Sequence, residues 1–116
     1  MVVIKNKANK SFEPIKKSDK ELYDLLNRKV LAGEYIFKKH SRQRLKDRGI
    51  TDIEVLDILE GKKGRKRHRN KEKDKYEDGR DDWNYCIEGV NLDDFKIRII
   101  VSFEQGLLPI ITVMWI

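Results

Sequence analysis

An α+β domain is predicted here, with two to three N-terminal helices packed on one face of a three- to four-stranded antiparallel sheet. Three observations carry the prediction. Apolar residues recur at three- and four-residue spacing around 22–30 and 53–59, the period of an amphipathic helix. From Trp83 onward the period falls to two, the period of a strand. Short connections rich in turn residues join the last three alternating stretches, so these strands should form a meander.

The 116 residues suffice for one domain with a two-layer core. Residues 1–17 are expected to be a flexible N-terminal segment, and 18–116 a single domain. No secretory leader is expected, because Lys5, Lys7 and Lys10 interrupt the early apolar run. Ser18 and Glu21 have the spacing of a capping box, which starts the first helix. Leu22, Leu25, Leu26, Lys29 and Val30 form its stripe, and Gly33 ends it. Tyr35, Ile36 and Phe37 then lead into the most tightly specified stretch, Lys39 to Leu59.

In that stretch His40, Arg44 and Arg48 stand four residues apart, so a helix places them in one row. Gly49 suits the left-handed position after a helix end. Thr51 and Glu54 form a second capping box, with Ile50 and Val55 spaced as a hydrophobic staple. The helix over 52–60 is apolar around more than half its circumference, and Gly61 stops it. Eight of the twelve residues from Lys62 to Lys73 are Lys or Arg, after which the chain turns acidic. The whole of 62–82 is therefore expected to be an exposed charged loop, with 64–69 able to add a fourth strand. Trp83, Tyr85 and Ile87 then share one strand face. Phe95, Ile97, Ile99, Val101 and Phe103 share the next, and Glu104-Gln105-Gly106 supplies a hairpin turn. The final stretch, LLPIITVMWI, is apolar on both faces, so it should be central in the sheet or pair with another copy as a homodimer.

Charge bounds the function. The net charge is +6, and it is uneven: residues 1–82 hold 24 Lys/Arg against 16 Asp/Glu, residues 83–116 hold 2 against 4. A basic surface attracts polyanions by counterion release and steering, which points to RNA or DNA as partner. The expected nucleic-acid contacts are Lys62, Lys63, Arg65, Lys66, Arg67 and Arg69, with Trp83 as a stacking surface. Cys86 is the only cysteine, which excludes an internal disulfide and a zinc site built on cysteine pairs. Neither metal nor cofactor is expected. No segment approaches 18 apolar residues, so no membrane partner is expected and the cytoplasm is the expected compartment.

The stretch YIFKKHSRQRLKDRGITDIEVLDIL resembles the opening signature of the bacterial family numbered 4258 among the domains of unknown function: His, three residues, Arg, three residues, then Arg-Gly-Ile and a Val-containing helix. WNYCIEGV, FKIRIIVSFE and LLPIITVMWI resemble its closing strands in order and character. The resemblance spans roughly residues 35–116. It implies similarity to toxins of the RelE and barnase-like ribonuclease kind, often placed beside a zinc-finger antitoxin. The long charged insert at 62–82 departs from compact members.

On this reading the chain is a metal-independent endoribonuclease, the toxin of a toxin–antitoxin pair, with RNA and an antitoxin protein as partners. His40 would move the proton, while Arg44 and Arg48 hold the phosphate. Tyr85 and Arg98 are further candidates for orienting the phosphate. His68, inside the basic run, reads as a contact or solvent residue rather than a catalyst. Two alternatives stay open: a nucleic-acid-binding module that does not cut, and a protein-interaction domain pairing through its C-terminal strand.

Overall fold

The fold is given by a computed structural model, which describes residues 13–61 and 66–116. In chain order the elements are helix α1 (Asp19–Leu31), strand β1 (Tyr35–Phe37), helices α2 (Lys39–Arg48) and α3 (Asp52–Glu60), strand β2 (Arg67–Arg69), a 3-10 turn (Lys71–Lys73), and strands β3 (Tyr85–Val90), β4 (Lys96–Val101) and β5 (Leu108–Trp115).

Local chemistry sets the helix ends. Ser18 accepts from the Glu21 N–H while Glu21 accepts from the Ser18 N–H, so the first capping box closes in both directions. Thr51 and Glu54 do the same for α3. Gly49 ends α2 at φ 67° and Gly61 ends α3 at φ 73°, a backbone region open to glycine without a Cβ clash. Ile50 and Val55, the staple pair, are both in the core. The Gln105–Gly106 turn joins β4 to β5 at positive φ, as its composition requires.

The five strands run in the order β1-β5-β4-β3-β2. β5, β4, β3 and β2 are antiparallel neighbours, whereas β1 pairs parallel with β5, Tyr35 opposite Leu108 through Phe37 opposite Ile110. The sheet is thus mixed and five-stranded rather than three- or four-stranded and antiparallel. The cause is the three-residue lead-in Tyr35–Phe37, too short to show a period, which finds the free edge of β5. β5 takes the first of its two expected places, between β1 and β4.

Alternate strand residues Tyr85, Ile87, Ile97, Ile99, Val101, Leu108, Ile110 and Val113 are fully buried against Leu22, Leu26, Leu45, Val55, Ile58 and Leu59. The three helices of the described residues therefore cover one face. Gly89 lets α3 lie close on β3: a Cβ there would stand 2.6 Å from Ile58 Cγ2 and 2.9 Å from the Lys66 carbonyl oxygen.

The charged segment is less exposed than its composition predicts. Arg69 is only 9% exposed and Asp82 only 6%. Arg69 donates to Lys17 O at 2.8 Å, to Asp19 Oδ1 at 2.9 Å and to Asp74 Oδ2 at 3.0 Å. A buried cation is tolerated when carboxylates and carbonyls surround its donors, and these do. Arg69 thereby ties β2 and the turn after it to the start of α1.

Candidate functional site

The sheet face away from the helices carries a row of side chains from three neighbouring strands. Register places His68 opposite Glu88, and Glu88 opposite Arg98. Directly opposed residues on one face have adjacent side chains, so the three meet. His68 Nε2 lies 3.1 Å from Glu88 Oε1. Arg98 Nε donates to Glu88 Oε2 at 2.8 Å, and Asn70 Nδ2 donates to the same oxygen at 3.1 Å. Glu88 is held from both sides and nearly buried, whereas 68% of the His68 side chain is exposed.

The electrostatics follow from that geometry. Burial acts to raise the Glu88 pKa, but the Arg98 and Asn70 hydrogen bonds and the charges of Arg98 and His68 outweigh it, leaving the carboxyl below its usual range. The Glu88 hydrogen bond and charge raise Arg98 in turn, with desolvation opposing. Cys86 sits two residues earlier, its Sγ 3.9 Å from Glu88 Oε2. Burial first, then the Glu88 charge, push its thiol up to about 11. A fully buried thiol with that pKa is no nucleophile.

A cleft of about 270 Å³ opens beside the row, lined by Lys66, Arg67, His68, Glu88, Gly89, Val90, Lys96 and Ile116. The exposed side chains of Lys66 and Lys96 flank it. The arrangement offers an exposed imidazole for proton transfer, a fixed carboxylate behind it, and cations for an anionic substrate.

The catalytic candidates expected from sequence do not all meet in one place. His40, Arg44 and Arg48 do share one row of α2, and His40 is exposed. Arg48, however, donates to Val113 O at 2.5 Å, and its own carbonyl accepts from Trp115 Nε1 at 2.8 Å, so it anchors β5. Arg44 Nη1 lies 3.9 Å from Asp47. Tyr85 alternates onto the helix-covered face, fully buried, so it cannot share a substrate with Arg98 on the other. Its hydroxyl donates to Asp82 Oδ1 at 2.6 Å and accepts from Lys17 N–H at 3.1 Å. Burial and the Asp82 hydrogen bond drive its pKa up, so the phenol stays neutral.

Of the expected nucleic-acid contacts, Lys62, Lys63 and Arg65 lie outside the described residues. Lys66 is exposed at the cleft. Arg67 is turned inward, its guanidinium 4.5 Å from the Tyr23 ring centroid and donating to Leu59 O, and burial lowers its pKa. Arg69 is consumed in the buried clasp. The Trp83 indole donates to Pro14 O at 2.9 Å, with Lys16 Nζ 4.6 Å from its ring centroid and Tyr76 beside it, so the ring is already engaged by neighbours of its own chain.

Sequence reasoning missed His68, Glu88 and Asn70 as members of one site. A signal was present. Glu88 is the lone charge in the strand YCIEGV, and with Arg98 it is equidistant from the turn at 91–95. A symmetric hairpin brings two such residues face to face.

Among the described residues no three His, Cys, Asp or Glu side chains are grouped to hold a metal ion, and no helix is long and apolar enough to cross a membrane. The family model described as "Domain of unknown function (DUF4258)" matches residues 37–115. No curated protein and no solved structure matches the chain.

Proposed function

The chain belongs to the DUF4258 family, and from that premise we propose that it is an endoribonuclease acting without a metal ion, with the His68–Glu88–Arg98 row as its active site. The observation that carries this reading is the row itself. An exposed imidazole is backed by a buried, ionised carboxylate and an arginine beside a cleft edged by lysines.

The chemistry is internal transesterification. His68 takes the proton of a ribose 2′-hydroxyl, and the 2′-oxygen attacks the adjacent phosphorus. Glu88 positions the ring and stabilises the imidazolium that forms. The part of Arg98 not committed to Glu88, with 22% of the side chain exposed, meets the phosphate oxygens together with Lys96. The P–O5′ bond breaks and water protonates the departing oxygen, while the hydroxide so formed accepts the proton from His68. The products are a 2′,3′-cyclic phosphate and a 5′-hydroxyl. Within this reading the protein acts as the toxin of a toxin–antitoxin pair, its antitoxin covering the same cleft.

The test is incubation of the pure protein with end-labelled single-stranded RNA in the presence of EDTA. Cyclic-phosphate ends are expected from wild type, and a loss of about 10²- to 10⁴-fold in rate from His68→Ala. If wild type binds RNA and leaves it intact, the protein is a binding module. If His68→Ala cuts at the wild-type rate while His40→Ala does not, the chemistry belongs to the α2 row.

A further inference from the structure

Beyond the row, two aromatic side chains stand exposed where β4 begins and β5 ends. Phe95 is 62% exposed and Trp115 38%, with ring centroids 6.2 Å apart at 76°. Both are held in place. Trp115 Nε1 donates to Arg48 O, and Phe95 N–H donates to Asn91 Oδ1, itself part of a side chain that donates to Glu54 Oε2 at 2.9 Å. With Lys96 and Ile116 the rings line a cleft of about 300 Å³. Lys96 and Ile116 also line the cleft of His68 and Glu88, so the two clefts share a wall.

We propose that Phe95 and Trp115 form a stacking site for an unpaired nucleobase of the same single-stranded RNA whose backbone passes His68. The proposal rests on the nucleolytic reading for its substrate and adds a base-binding subsite to it. Rigid exposed aromatics accept any base through its π-face, and a neighbouring ammonium neutralises the adjoining phosphate. Lys96 occupies that position on the shared wall. Asp93 and Asp94, exposed just before Phe95, repel phosphate and direct the backbone over Lys96 toward His68 and Lys66. A base in a duplex cannot reach such a platform, so the substrate is single-stranded.

The experiment uses single-stranded DNA, which lacks the 2′-hydroxyl and so reports binding without cleavage. In a Trp83→Phe background Trp115 is the sole tryptophan, and its emission should be quenched by a twelve-nucleotide strand but not by an abasic strand of equal length. In wild-type protein, anisotropy of a labelled strand should show the abasic strand binding about five- to hundred-fold more weakly, a readout that does not depend on the Trp83 variant folding. Trp115→Leu should lose that preference for bases and Trp115→Phe should retain most of it. Equal affinity and equal quenching by both strands overturn the stacking site even where RNA is cut. Quenching specific to the base-bearing strand, with no RNA cut, leaves the stacking site standing and removes the nuclease reading.

Discussion

Gly89→Ala probes how tightly β3 is held against α3. Gly89 follows Glu88 directly, and an added Cβ would sit 2.6 Å and 3.2 Å from Ile58 Cγ2 and Cγ1 and 2.9 Å from the Lys66 carbonyl oxygen. Ile58 is fully buried at the helix–sheet contact, and Lys66 O belongs to the backbone leading into β2. Neither can swing away as a surface side chain would. Overpacking of this kind costs about 1–3 kcal/mol, and each kcal/mol lowers Tm by about 4–8 °C in a domain near this size. Urea unfolding followed by circular dichroism measures the loss directly. Ile58→Ala alone should cost about 2–5 kcal/mol by leaving a cavity. The double variant should cost less than the sum, because Ile58→Ala removes both the methyl and the methylene that the added Cβ would meet. Since the two strands flanking Gly89 carry His68 and Arg98, the Gly89→Ala variant should also slow the RNA cleavage proposed for that row. Stability within about 0.5 kcal/mol of wild type, the ordinary range for surface changes, would refute the contact and with it the placement of α3 on β3.

Acid should weaken the fold through Glu88 and the helix-start carboxylates Asp19 and Glu21, all with lowered pKa. A carboxyl lowered by folding contributes stability above its unfolded value, near 4.5 for Glu, and loses it as pH falls through the folded value. Tm should therefore drop below about pH 5, and Glu88→Gln should flatten part of that slope; an unchanged slope would detach Glu88 from Arg98 and His68. Arg69→Met should destabilise by about 3–5 kcal/mol, because Asp74, whose side chain is 0% exposed, would keep only the Lys16 ammonium at 3.9 Å as a cation among the described residues. A loss of RNA affinity at unchanged stability would instead make Arg69 a contact residue. Cys86 should resist a thiol reagent such as DTNB at neutral pH until urea unfolds the chain, being fully buried with its thiol near 11. Rapid labelling of the native protein would show β3 opening to solvent.

What the chain states locally, its sequence states plainly. Both capping boxes, the glycine stops after α2 and α3, the staple and the β4–β5 turn each depend on residues within five positions of one another, so short-range chemistry suffices to read them. The alternating strands are legible for the same reason. The parallel pairing of β1 is not, because three residues carry no period and their partner lies more than seventy positions away. The site divides in the same manner. His40, Arg44 and Arg48 form a pattern along one helix and so attract notice, but only packing reveals that Arg48 spends its guanidinium on Val113 O. His68, Glu88 and Arg98 form no pattern along the chain. They become neighbours when two antiparallel registers, β2 on β3 and β3 on β4, place them opposite one another, and a slip of one residue in either would turn a member of the row to the helix side.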